Sequence, residues 1–283
     1  MPDKPAILYR GLAFGESPRW HDSKLWFSDM HSRKVMTIDL KGKAETVIEV
    51  PDRTSGLGWT LDGHLLIVGM KKKSLLRFGP SRLTRVADIG RLASGDCNDM
   101  VVDALGRAYI GNFGLNTDLS VNRVGPGEIV MVAPDGRACI VADNLNFPNG
   151  SVITPDGCTL IVAETFGHCL TAFDINQDGS LTRQRTWAAL PKDIFPDGMC
   201  LDAEGAVWVG HAGGPAVYRV KEGGEITRRI ETSAHAYACM LGGEDRRTLF
   251  IMTAEDNDAA KCRQKMNGRI EIIRVDVPGA GLP

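Results

Sequence analysis

Residues 149–164 read NGSVITPDGCTLIVAE: an Asn-Gly opening, a short apolar stretch, a Pro-Asp-Gly turn, and a second apolar stretch ending on an acid. Asp-Gly between two runs rich in aliphatic and β-branched residues is a hairpin signal. Glycine supplies the positive φ of a tight turn, and aspartate bonds nearby backbone amides. The phrase recurs as ESPRWHDSKLWFSD from Glu16, SGLGWTLDGHLLIVG from Ser55, NDMVVDALGRAYIGN from Asn98, DGMCLDAEGAVWVG from Asp197 and CMLGGEDRRTLFIMT from Cys239. Successive starts lie 39, 43, 51, 48 and 42 residues apart. A period of about 40–50 residues holding about four strands is the size of a propeller blade. The chain is therefore expected to be all-β, a six-bladed β-propeller.

In such a ring the innermost strand of each blade lines the axis, so the residues that open the phrases should meet there. In order they are Glu16, Ser55, Asn98, Asn149, Asp197 and Cys239. A single Asp or Asn at the start of a strand commonly does no more than form a turn. Two carboxylates and two carboxamides at equivalent positions of a ring instead make an oxygen-rich cluster suited to a hard divalent cation, hence a central metal site. Ring closure predicts that residues 5–9 pair with the run at 269–277, leaving no open sheet edge.

The rest of the composition narrows the function. The 283 residues carry no linker-like interruption of the repeat, which predicts one domain, 1–283. A formal net charge of −2 and only short basic clusters, such as Lys71-Lys72-Lys73 at an expected hairpin, give no support for nucleic-acid binding. No apolar run is long enough to span a membrane, and the N-terminus lacks the succession of a secretory signal. The seven cysteines show no CxxC pair and read as reduced thiols, so the expected location is cytoplasmic. Cys97, next to Asn98, has a second reading as a thiol facing the pocket.

Several motifs fail on inspection. Asp174-Ile175-Asn176-Gln177-Asp178-Gly179 begins like an EF-hand loop, yet its twelfth position is Arg185 rather than a bidentate glutamate, so it reads as a hairpin turn. There is no G-x-S-x-G elbow, no H-E-x-x-H helix and no phosphate-cradling loop. The six histidines are isolated in sequence; His168 and His211 follow the second strand of their blades and lie within reach of a rim.

Five segments in register, Glu16-Ser17-Pro18-Arg19-Trp20, Asn98-Asp99, Pro148-Asn149-Gly150, Pro196-Asp197-Gly198-Met199-Cys200-Leu201-Asp202 and Cys239-Met240-Leu241-Gly242-Gly243, resemble the gluconolactonase and regucalcin (senescence marker protein) family. The resemblance covers nearly the whole chain. It implies a six-bladed propeller holding one divalent metal ion (Ca, Mg, Mn or Zn) and hydrolysing lactones. It implies that Glu16, Asn149 and Asp197 ligate the metal, that Asn98 is a further ligand or a substrate contact, and that Asp197 is the general base. Asp99, facing the other way along its strand, is expected to buttress the site.

The chain departs from the sugar-lactonase pattern of that family. Asp96 stands where an arginine would hold sugar hydroxyls, and Gly111-Asn112-Phe113-Gly114 lacks the glutamate used there. Trp59, Phe113, Phe147, Phe166, Phe195 and Tyr237 fall near the expected rim, with Phe113 and Phe147 the assigned substrate contacts, which suits an apolar lactone or ester. The expected function is a metal-dependent lactonase acting on a small molecule. The alternatives are an aryl-ester or organophosphate hydrolase on the same site, and a non-catalytic propeller that binds metal or a small molecule.

Overall fold

The computed structural model describes residues 4–80, 82–114 and 125–281. It is a six-bladed β-propeller of six four-stranded antiparallel sheets. The inner strands of blades I to VI are Gly15–His21, Thr54–Trp59, Cys97–Val102, Pro148–Ile153, Pro196–Leu201 and His235–Gly242. Each touches the next around the ring, and the last touches the first.

The recurring turn explains why each phrase folds into a hairpin. In blade III, Asp103 Oδ1 accepts the amides of Leu105 and Arg107, both at 2.9 Å, and Gly106 takes φ +77°. In blade V, Asp202 Oδ1 does the same for Glu204 and Ala206, with Gly205 at φ +77°. Aspartate satisfies the amides that the turn leaves unpaired, and glycine adopts the left-handed φ without a Cβ clash. The EF-hand-like segment is likewise a hairpin, with Ile175 paired to Leu181 and Arg185 Nη1 bonded to Asp174 Oδ1 at 2.7 Å.

The apolar core lies between adjacent blades. Leu66 and Val68 of blade II pack on Met100, Val102 and Ile110 of blade III, and Trp20 of blade I stacks on Phe250 of blade VI with centroids 5.5 Å apart. Towards the axis the strands approach closely. A Cβ on Gly150 would stand 2.7 Å from the backbone of Asp197 and Gly198, and one on Gly198 only 2.4 Å from the Cβ of Ala238. Glycine after Asn149 and after Asp197 lets these inner strands converge.

The ring closes through the N-terminus. Ala6–Leu12 is the outermost strand of blade VI, antiparallel to Gly268–Arg274, with Ala6 opposite Ile272 and Leu12 opposite Gly268. One helix, α1 (Ala259–Lys265), sits between the second and third strands of blade VI, its N-terminus capped by Asp258. Among the described residues no helix is long and apolar enough to cross a membrane.

Candidate functional site

At the second residue of their inner strands, blades I, III, IV and V place Glu16, Asn98, Asn149 and Asp197, and all four line one cavity of about 780 Å³. In each of these blades the strand pairing is irregular from this end of the inner strand, as between Glu16 and Arg19 or Pro196 and Met199, which frees the residue from a regular ladder. Ser55 occupies the same place in blade II but is absent from the wall. Its hydroxyl instead bonds Asn98 Oδ1 at 3.3 Å and Ser17 Oγ at 3.2 Å.

The expectation for blade VI is overturned. Its inner strand is eight residues long and its irregularity falls between Ala236 and Ala238, so the residue brought to the cavity is Tyr237. Cys239 is buried in the core with its thiol directed at Trp208 O, 3.2 Å away. Cys97 also faces the core, where burial pushes its thiol up to about 12, and this removes its reading as a pocket thiol.

Hydrogen bonds fix the floor. Asn98 Nδ2 donates to Asn149 Oδ1 at 2.9 Å, and Asn149 Nδ2 donates to Thr165 Oγ1 at 3.1 Å. Thr165 Oγ1 in turn donates to Pro196 O at 2.8 Å. Glu16 Oε2 accepts the Ser17 amide at 2.9 Å. Asp99 points away from the cavity and pairs with the buried Arg19 at 2.7 Å, and that guanidinium also donates to Met100 O.

Glu16 and Asp197 are each only 5% exposed. Desolvation holds both carboxyls well above the usual range; the charges of Asp197 and Asp99 add to the effect on Glu16, and that of Asp99 to the effect on Asp197. Asp197 Oδ1 is buried without a hydrogen-bond partner. Among the described residues no three His, Cys, Asp or Glu side chains gather into a metal cluster. The donor set at the axis is two carboxylates and two carboxamides. It is all oxygen, has an orphaned acceptor and lacks a positive charge, and these features fit a hard divalent cation.

Two further rings of residues make the wall. The residue just before the inner strand lines the cavity in four blades, as Phe14, Arg53, Phe147 and Phe195. The residue just after the second strand does so in five, as Met30, Met70, Phe113, Thr165 and Ala212. Phe113 stacks on Phe147 at 4.3 Å, Phe147 meets Phe166 edge-on at 4.9 Å, and Phe166 meets Phe195 at 6.2 Å. Five of the six aromatic residues anticipated at the rim are there. Trp59 is the exception, stacked on His21 at 4.0 Å on the side of blade II.

The sequence reading missed the polar side of the wall, formed by His31, Arg53, Asn257, Asp258 and Arg263. The two repeat positions just described would have found Arg53; α1 interrupts the repeat, and nothing in the phrase marks Arg263. His31 is 6% exposed, its Nε2 lies 3.2 Å from Asn257 O, and burial together with Arg53 lowers its pKa to about 4. His168 and His211 do not line the cavity. Their Nδ1 atoms lie 2.9 Å from Ile194 O and 3.1 Å from the Phe195 amide. Asp96 pairs with Lys71 at 2.7 Å.

Residues 14–255 match the family model described as SMP-30/Gluconolactonase/LRE-like region. Regucalcin of Gallus gallus is 27% identical over 251 residues, covering 86% of this chain and 83% of the relative. The 6-deoxy-6-sulfogluconolactonase of Pseudomonas putida is 25% identical over 292 residues, covering 98% and 96%. A solved structure of regucalcin, a calcium-binding protein from Agrobacterium tumefaciens, has the same fold, with a TM-score of 0.83 at 22% identity over 100% of this chain and 97% of that one.

Proposed function

Because the chain belongs to the SMP-30/Gluconolactonase/LRE-like family, we propose that it is a hydrolase that opens a lactone, dependent on one divalent metal ion and using Asp197 as general base. The observation that carries this reading is the Asp197 carboxylate: buried at the floor of a large cavity, close enough to Glu16 to raise its pKa, with one oxygen that no protein group satisfies. The lactone chemistry named for the Pseudomonas relative supports the reaction class. In this reading the whole chain, 1–283, acts as one domain.

Glu16, Asn149 and Asp197 would hold the ion through oxygen, which favours Ca, Mg or Mn by hardness. When bound, the ion would neutralise the two carboxylates and polarise the lactone carbonyl. Asp197 accepts a proton from water as the water oxygen bonds to the carbonyl carbon. The ring C–O bond then breaks, and the proton passes to the departing ring oxygen, leaving a hydroxy acid. Asn98 keeps the Asn149 amide oriented and borders the substrate. Phe113 and Phe147, already stacked on each other, offer a flat apolar surface to one side of the ring.

The test is a substrate panel on metal-stripped protein reconstituted separately with Ca, Mg, Mn or Zn: a γ-lactone, an aryl ester and a phosphotriester. Lactone opening should disappear on chelation and return with one or more cations. Full activity after verified metal removal would overturn the metal dependence, and turnover of only the ester or the phosphotriester would replace the lactonase reading by its alternatives.

A further inference from the structure

Blade VI differs from the other blades at the axis. Its inner strand brings Tyr237 to the cavity, a hydroxyl where blades I, III, IV and V present carboxylates and carboxamides. That strand touches the inner strands of blades V and I, so Tyr237 stands between Asp197 and Glu16 around the ring. The residue is only 4% exposed, and it is held in an apolar cluster with Phe14, Met30, Ala254 and Cys262, the Phe14 ring lying 4.6 Å away between centroids. After burial, the charge of Asp197 is the largest influence raising the pKa of the hydroxyl, and Glu16 acts in the same direction. The hydroxyl keeps its proton beside the floor.

The other donors of the floor are already engaged. Asn98 Nδ2 donates to Asn149, Asn149 Nδ2 to Thr165, and the Thr165 hydroxyl to Pro196 O. Among the described residues, Thr165 and Tyr237 are the two hydroxyl side chains that line the cavity. No group among those residues hydrogen-bonds the Tyr237 hydroxyl, and its oxygen is not enclosed as the orphaned Asp197 Oδ1 is. Opening a lactone places charge on two oxygens in turn: the carbonyl oxygen when water adds, and the ring oxygen when the C–O bond breaks. A cation answers the first, whereas the second calls for a donor on the protein.

We propose that Tyr237 is a further catalytic residue, its hydroxyl donating a hydrogen bond to the ring oxygen of the lactone as the ring C–O bond breaks. This rests on the lactonase reading and adds to it the group that assists the leaving oxygen. The water oxygen bonds to the carbonyl carbon and one of its protons goes to Asp197. The electron pair of the breaking C–O bond goes to the ring oxygen, which takes that proton back from Asp197, while Tyr237 keeps its own. A donor aimed where charge develops lowers the barrier more than it tightens the ground state. Its benefit grows with the basicity of the leaving oxygen. An alkoxide depends on it, whereas a phenoxide, whose acid has a pKa of about 10 as in tyrosine, depends on it little.

The test compares the metal-loaded parent with Tyr237→Phe on two isomeric aryl-fused γ-lactones, phthalide, which releases an alkoxide, and 2-coumaranone, which releases a phenoxide. Phenylalanine keeps the ring against Phe14, and an unchanged melting temperature and cation affinity verify that the site is intact. On phthalide the variant should lose about 10² in kcat, the cost of removing one donor to a developing oxyanion, with KM nearly unchanged. On 2-coumaranone the loss should be smaller by roughly tenfold or more. A purely structural role would slow both substrates alike, so an equal loss on the two overturns the proposal. So does a variant as fast as the parent on phthalide, and in that case the lactonase reading stands. A parent that opens neither lactone overturns the lactonase reading and the Tyr237 assignment with it.

Discussion

Asn98 and Asn149 are joined side chain to side chain across the boundary between blades III and IV, Nδ2 of the first donating to Oδ1 of the second at 2.9 Å. The bond decides which end of the Asn149 amide faces which neighbour, because the Nδ2 of Asn149 is taken by Thr165 at 3.1 Å. Asn98 is itself steadied by the Ser55 hydroxyl at 3.3 Å. Three blades thus hold one carboxamide in place.

Removing that support has a specific expected consequence. Asn98→Ala should weaken divalent-cation binding by roughly 10–100-fold, the usual cost of losing a group that orients a ligand. Most of the turnover should return at saturating cation. A calorimetric titration of stripped protein reads this directly. Unchanged affinity would mean that Asn149 needs no partner to present its oxygen.

A second expectation concerns ring closure. Deleting residues 1–9 removes the pairing of Ala6, Ile7 and Tyr9 with Ile272, Glu271 and Ile270, and exposes the edge of blade VI. The whole protein should then melt earlier, by roughly 2–4 °C for each kcal/mol lost, rather than only one blade fraying. Scanning calorimetry of the truncated chain decides it, and a melting temperature equal to the parent's would show that the other three strands of blade VI suffice.

The floor of the site was legible because the repeat itself encodes it. Glu16, Asn98, Asn149 and Asp197 stand at one strand position, and small residues after three of them keep the spacing of the phrase. Cys239 was misplaced because the inner strand of blade VI, at eight residues, is longer than those of the other five blades and has its irregularity at Ala236–Ala238, which moves Tyr237 to the axis. The wall was harder. Met30, Met70 and Arg53 flank strands and have no alternation to mark which way they face. Arg263 comes from α1, inserted between two strands of a single blade, where the repeat has no counterpart. Trp59 looked like a rim residue from its place in the phrase, but its ring is captured by His21 and Trp26.

His31 gives a dependence on pH with a definite sign. Its pKa is lowered from the usual 6.5 to about 4, by burial first and then by Arg53. The folded ring therefore holds fewer protons than the unfolded one, so its contribution to stability is complete above about pH 6.5 and is lost as the pH falls towards 4. The loss is about 3 kcal/mol at most. In His31→Phe, which keeps a ring against Phe14, that part of the acid sensitivity should vanish. Urea unfolding at pH 7 and pH 4.5 on both proteins measures the difference, and an equal loss in the two would assign the acid sensitivity to other groups.

Asp197→Asn separates holding the metal from moving the proton. Asparagine keeps an oxygen of nearly the same reach, so the cation should still bind at high concentration, although more weakly because one negative charge is gone. What it cannot do is accept the proton of water, and among the side chains on the floor only Glu16 is another carboxylate. Glu16 Oε2 is committed to the Ser17 amide at 2.9 Å, while Asp197 has the oxygen without a partner. Turnover of a lactone should therefore fall by ~10²–10⁴, the range of general-base catalysis, with metal content equal to that of the parent. Glu16→Gln should behave differently, losing metal affinity first and recovering much of its turnover when the cation is supplied in excess. If metal-loaded Asp197→Asn opens the lactone at close to the parent rate, the proton goes elsewhere and Asp197 is a ligand only.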